Sequence, residues 1–272
     1  MANSINTNYG AAIALQNLNK TNAQLETTQN RVNTGMKVSS AKDNGAIFAI
    51  ATSQRAEMGA QDAVRNSLQR GQSIIDVALA AGDTITSALE EMKSLAVNIA
   101  SSTGDAKTAY EADFTALGKE IDAALKGATF DGVNLFTTAA GATTDLLINT
   151  KSTGNTYRIG TTAALSANTD LVKFTAATPA VADYTVANVD LVMKAVTTAL
   201  GTLGTQSKSV GRQLTFVGKF QDALEAGIGN LVDADLAKES AKLTALQTKQ
   251  QLGVQALSIA NSASQIMLSL FR

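Results

Sequence analysis

Residues 243–271 read LTALQTKQQLGVQALSIANSASQIMLSLF. Leu243, Leu246, Gln250, Gly253, Leu257, Ala260, Ser264, Met267 and Phe271 recur at steps of three and four, the period of one helix face. Leu252, Ala256, Ile259, Ala263, Ile266 and Leu270 make a second face of the same helix. Two apolar faces require burial on two sides, hence more than one packing partner. From Gln250 onward the only charge is Arg272. A surface this apolar is a liability on an isolated molecule and implies a covering partner.

The opposite end of the chain has a matching character. Leu15, Leu18, Asn22, Leu25, Gln29, Val32 and Met36 follow the same alternating steps and predict a heptad seam. Fifteen of residues 1–30 are Asn, Gln, Ser or Thr, against two charges, Lys20 and Glu26, so the outer face is neutral-polar. An ordinary solvent-facing helix carries Lys and Glu there. The shared composition predicts that the two terminal arms pair with each other.

Between the arms lie further helices. Val64, Ser67, Gly71, Ile74, Ala78, Ala81, Ile85, Ala88, Met92, Leu95 and Ile99 hold one seam without interruption by Pro. Tyr110, Phe114, Leu117, Ile121 and Leu125 mark a shorter helix. Val196, Leu200, Leu203, Ser207, Val210, Leu214, Val217, Gln221, Leu224, Ile228 and Leu231 mark another long one. The stretch Gly227–Asp235 predicts a break, with Asp233 or Asp235 capping the last helix. Residues 137–190 differ: thirteen are Thr, a residue that favours strands and loops over helix interiors. Leu146–Thr150 and Thr156–Ile159 flank a polar Lys-Ser-Thr-Gly-Asn turn and predict a β-hairpin. The fold class expected is mainly α: a long antiparallel coiled-coil rod of N- and C-terminal arms with a small β-hairpin insert.

Composition removes most catalytic chemistry. The 272 residues contain no Cys, His or Trp, and Pro179 is the single proline. Thiolate, His-based and Cys-zinc chemistry are therefore excluded. The balance of 22 Lys+Arg against 23 Asp+Glu lacks the basic excess of a nucleic-acid binder. No cofactor is implied: Gly227-Ile-Gly229 starts a dinucleotide motif, but Val232 occupies the place of its last glycine and no strand precedes it. Glu90 and Glu91 are adjacent on a helix and do not face each other, so they read as a solvated face. Asn19-Lys-Thr21 matches a glycosylation acceptor but sits on the predicted interface helix. The amino terminus has no basic region followed by an apolar core, so no cleaved secretory signal is expected, and no apolar run has the length of a membrane span.

Three segments carry the likeness to a known family. Arg31-Val-Asn-Thr-Gly-Met-Lys-Val-Ser-Ser-Ala-Lys-Asp-Asn-Gly-Ala-Ile-Phe-Ala-Ile-Ala51 is similar to the family's segment after the first helix. Phe130-Asp-Gly-Val-Asn-Leu-Phe136 is similar to its turn between helix and hairpin. The tail from Asp233 through Ser258–Phe271, and the start with Asn3, Asn6, Thr7 and Asn8, also match in order and spacing. Together these segments resemble bacterial flagellin, and the resemblance implies a secreted, extracellular subunit of a helical homopolymer and no enzymatic activity. It places residues 1–44 and 231–272 in an inner coiled-coil domain, 45–136 and 188–230 in a helical shell, and 137–187 in a short outer insert. Leu15, Leu18, Leu25, Val32, Leu257, Ile259, Ile266, Met267, Leu270 and Phe271 are the expected polymerisation interface. Implied partners are further copies of the chain, the flagellar type III export apparatus and its chaperone, hook-associated proteins and the filament cap, and neither nucleic acid nor membrane; the Thr-rich insert reads either as a tolerant exposed tip or as a surface whose hydroxyls carry O-linked sugars. A hook–filament junction protein with flagellin-like termini is the alternative.

The missing Cys and the single Pro suit transit as an unfolded chain, since cross-links are avoided and slow prolyl isomerisation is confined to one bond. One segment departs from the family. Leu89-Glu-Glu-Met-Lys-Ser-Leu-Ala-Val-Asn98 aligns with the stretch read by the innate immune Toll-like flagellin receptor, with Leu89, Glu91 and Leu95 as receptor-like positions. Receptor-activating members carry Arg where this chain has Glu91 and Glu where it has Ser94, which implies weak activation.

Overall fold

A computed structural model describes residues 8–137, 146–149, 156–161, 164–176, 179–180 and 183–269, with 146–149 and 263–269 described by backbone alone. The elements in chain order are α1 (Tyr9–Thr34), α2 (Gly45–Ser101), α3 (Gly104–Gly127), β1 (Leu146–Asn149), β2 (Thr156–Ile159), a single 3₁₀ turn (Leu165–Ala167), α4 (Thr169–Thr175), α5 (Val186–Val232) and α6 (Leu236–Ser269). The chain divides into two compact units. One combines Met1–Ala56 with Ala223–Arg272; the other is Glu57–Asp222.

In the first unit α1 and α6 run antiparallel. Asn8 Nδ2 donates to the Ala260 carbonyl at 2.8 Å, Gln250 Nε2 to Asn22 Oδ1 at 2.9 Å, and Arg31 meets Glu239 at 3.1 Å. Asn8 also caps α1, accepting from the Ala11 amide at 2.9 Å. Gly35 closes α1 with φ 71°, a left-handed conformation that costs glycine nothing, and its amide reaches the Arg31 carbonyl at 2.9 Å.

The second unit holds the main core. The α2 seam predicted from sequence is the one that packs: Val64, Ile74, Ala78, Ile85, Ala88, Met92 and Ile99 are buried. Core positions of α5, Val189, Val192, Val196, Leu203, Val210 and Val217, face it at helical spacing. The two helices are antiparallel, as Gln221 to Asp62 at 2.7 Å, Gln72 to Ser207 at 2.7 Å and Lys93 to Asp190 at 2.6 Å require. An 18-residue window of α5 reaches a mean hydropathy of 1.2, enough by length and composition to cross a membrane. The sequence reading did not anticipate such a window. Val189, Val192, Val196, Leu203, Val210 and Val217 of α5 lie in this core, and 28% of the window is buried.

The turn after α3 follows from its sequence. Asp131 and Gly132 take φ 51° and 76°, as a two-residue Asp-Gly hairpin turn demands, and Phe130 bridges to Val133. Asn134 then fastens the turn to the helix end. Its amide donates to the Leu125 carbonyl at 2.7 Å, and its oxygen accepts from the amides of Phe136 at 2.9 Å and Thr137 at 3.2 Å.

The predicted hairpin is present. β1 and β2 pair antiparallel, from Leu146 opposite Ile159 to Asn149 opposite Thr156. The described part of the insert belongs to the core of the second unit through Ile159, Leu165, Leu171, Phe174 and Tyr184. Phe114 of α3 receives Phe174 and Tyr184 edge-on, with ring centroids at 5.4 and 4.9 Å. Gln206 of α5 clamps the chain after β2 at two points: its Nε2 donates to the Gly160 carbonyl at 2.9 Å, and its Oε1 accepts from the Gly160 amide at 3.2 Å.

Candidate functional site

The α1–α6 pair sorts the predicted interface residues into two groups. Leu18, Leu25 and Val32 of α1 and Leu257 of α6 are half-buried between the two helices. Leu15 and Ile259 point away, 48% and 70% exposed. Ile266 and Met267 lie on α6, where only the backbone is described, and Leu270 and Phe271 lie outside the described residues.

The α1 seam is offset from the one expected. Its inward positions are Ala11, Ala14, Leu18, Thr21, Leu25, Thr28 and Val32, whereas Leu15, Asn22 and Gln29 are exposed. The physical reason is size. Ala14, Thr21 and Thr28 let α1 lie close to α6, and a reading that weights hydrophobicity prefers Leu15 to Ala14. Gly253 serves the same close approach: a β-carbon there would stand 3.2 Å from Leu18 Cδ1. Thr28 is fully buried, and its hydroxyl has no hydrogen-bond partner.

Of the two apolar faces read on α6, the first is the one turned toward α1. Leu243, Leu246, Gln250, Gly253, Leu257 and Ala260 turn inward. Leu252 of the second face is 58% exposed, and Val254 is 53% exposed beside it. On α1, Tyr9 at 75% and Ile13 at 43% join Leu15. Tyr9, Ile13 and Val254 were not picked out from sequence, because they fall off the heptad positions. The first unit thus presents large apolar side chains to solvent on both of its terminal helices.

The segment joining α1 to α2 is tightly built. The amides of Lys37 and Val38 donate to the Val232 carbonyl at 2.7 and 3.3 Å, and the Ala234 amide to the Gly35 carbonyl at 2.8 Å. Asp43 accepts four hydrogen bonds, from the amides of Ser39 and Ser40 at 3.0 Å and from their hydroxyls at 3.1 Å. These donors, the Ser40 amide foremost, hold its carboxyl below the ordinary 3.8. Asn44 then caps α2, accepting from the Ile47 amide at 3.1 Å. Asp235, one of the two residues expected to cap α6, does so by accepting from the Lys238 amide at 3.1 Å. The Ser-Ser-Ala-Lys-Asp-Asn motif is therefore a turn and a cap.

The family model described as the bacterial flagellin N-terminal helical region matches residues 5–140. The one described as the bacterial flagellin C-terminal helical region matches residues 186–271. The chain belongs to the bacterial flagellin family. Its flagellin relatives extend over the whole length. Flagellin FljK of Caulobacter vibrioides is 52% identical across 99% of both chains. The flagellin of Brucella melitensis is 38% identical across 99% of both, and flagellin A of Rhizobium meliloti 26% identical across 99% of this chain and 100% of its own. As a flagellin, the protein is a structural subunit that polymerises into the bacterial flagellar filament.

Within this flagellin the receptor-like positions differ in access. Leu89 is fully buried in the second unit, Leu95 is half-buried against the same core, and Glu91 is exposed. Among the described residues, no group of three acidic side chains is placed to hold a metal ion.

Proposed function

We propose that the terminal helices are the innermost layer of the filament and that their outward apolar residues are the polymerisation contacts. The observation that carries this reading is the exposure of Leu15, Leu252 and Ile259 on a helix pair whose inward face is already used. Leu18, Leu25, Val32 and Leu257 then act indirectly, by holding α1 against α6. Ile266, Met267, Leu270 and Phe271 are counted among the polymerisation contacts as the apolar tail of the sequence. Residues 1–44 and 231–272 are the inner domain, 45–136 and 188–230 the surrounding shell, and 137–187 the outer insert. Polymerisation is the whole of the activity, with no catalysed reaction.

The same reading assigns a route. The chain leaves the cell through the flagellar type III export apparatus, escorted by an export chaperone that covers the apolar tail. It folds at the growing end beneath the filament cap, beyond the hook-associated proteins, and its insert carries O-linked sugars on Thr hydroxyls. The support is family membership, the outward apolar residues and the absence of Cys. Burial against neighbouring subunits meets the ordering cost of the arms.

Removal of Ile266–Arg272 tests the reading. The truncated chain is expected to fail to elongate filament seeds while keeping the helical signal and melting transition of residues 57–222. Normal filaments from the truncated chain would overturn it.

A further inference from the structure

Two exposed ridges of the second unit have complementary charge and equal spacing. On α5, Arg212 and Lys219 lie seven residues apart with Phe216 between them. Phe216 is 56% exposed and stacks on Phe220, with ring centroids 6.1 Å apart and planes within 5°. A stacked aromatic pair left open to water on a helix surface has the character of an interface anchor. On α2, Asp83 and Glu90 are also seven residues apart, with the small Ser87 between them, and all three are exposed. The four charged residues form no ion pair among the described residues. Lys208 extends the basic ridge, and Glu91 the acidic one.

Seven residues are two helical turns, so both charge pairs span about 10.5 Å on one helix face. Laid antiparallel, the ridges bring Arg212 to Glu90 and Lys219 to Asp83, with Phe216 over Ser87. They cannot meet within one molecule. The bonds from Gln221 to Asp62 and from Gln72 to Ser207 place this part of α5 beside the early half of α2, well before Asp83. Contact between the ridges therefore needs a second chain.

We propose that the Arg212–Phe216–Lys219 ridge of one copy docks on the Asp83–Ser87–Glu90 ridge of α2 in a second copy. This rests on the filament reading above and adds a residue-level contact outside the terminal helices. With the copies parallel, the docked register differs from the internal α2–α5 register by about 20 residues, a stagger of roughly 30 Å. The two ridges are different surfaces of the chain, so the contact is heterologous and repeats without closing. The opposed charges set the register, since like charges face each other when it slips.

Two variants test the contact, Arg212→Glu with Lys219→Glu, and Asp83→Lys with Glu90→Lys. Each is expected to keep the wild-type helical signal and melting temperature and to raise the critical concentration for elongation about tenfold or more. In the first variant both ridges are acidic and in the second both are basic. An equimolar mixture restores complementary pairs and is expected to polymerise near the wild-type critical concentration. Phe216→Ser, which alters no charge, is expected to weaken assembly and to remain uncorrected by mixing. Either charge variant polymerising alone like wild type, or a mixture no better than its components, would overturn the proposal while leaving the filament reading intact. A wild-type chain that fails to elongate seeds would instead overturn the filament reading.

Discussion

Gly118 of α3 lies directly against the backbone carbonyl of Phe174, so close that a β-carbon at position 118 would overlap that oxygen. Glycine is needed there for space, since its backbone is helical. The contact seats α4 on α3 and holds Phe174 against Phe114. Gly118→Ala is expected to destabilise the second unit by about 1–3 kcal/mol, because a main-chain neighbour yields less readily than a flexible side chain. Gly127→Ala, where nothing approaches within 4 Å, is the control and should be close to neutral. Thermal unfolding of the two variants checks the difference.

Asn134 joins the end of α3 to the turn that follows, donating to Leu125 and accepting from Phe136 and Thr137. Asn134→Ala leaves buried backbone groups without partners, at a cost of about 1–3 kcal/mol. Asn134→Asp keeps the acceptor and loses the donor, so it should fall between Ala and wild type in denaturant melts near neutral pH.

Asp43 gives the α1–α2 junction an acid-sensitive element. Its folded-state carboxyl is held below 3.8 by the amides and hydroxyls of Ser39 and Ser40, so the unfolded chain takes up its proton at higher pH. The contribution of this turn is therefore present above the ordinary value and lost as pH falls through the depressed one. Asp43→Asn should melt like wild type in strong acid and below it near neutral pH. Equal differences at both pH values would contradict this. The Asp43 carboxyl carbon shift, followed by NMR, reads the same titration directly.

Receptor activation gives a functional check on the segment around Glu91. The wild-type monomer is expected to signal weakly in a Toll-like flagellin-receptor reporter assay. Glu91→Arg with Ser94→Glu restores the family pattern and should increase the signal. Strong signalling by wild type at nanomolar dose would refute the expectation.

Periodicity revealed the long helices because their seams are dense in aliphatic residues: every predicted α2 position from Val64 to Ile99 is buried or half-buried. The same rule misplaced part of α1. Leu15 and Gln29 have the spacing of a seam, yet Ala14 and Thr28 face α6, and Asn22, though exposed, meets Gln250 at the rim of the pair. Small residues carry little hydrophobic signal, although they set how closely two helices approach. The Phe114, Phe174 and Tyr184 cluster was hidden for another reason: its members come from distant segments, and no local pattern joins them. The candidate surface was legible as two faces on α6 from Leu243 to Ala260, but which face is used internally required the partner helix.

Gln206 grips Gly160 through the main chain alone, at the amide and the carbonyl. Such a grip reads no side chain. The sequence between Asn149 and Thr156 can therefore be exchanged for a foreign peptide without removing either hydrogen bond. Every subunit of the polymer would then bear the graft at the same place, making the filament a dense, regular carrier for a chosen epitope.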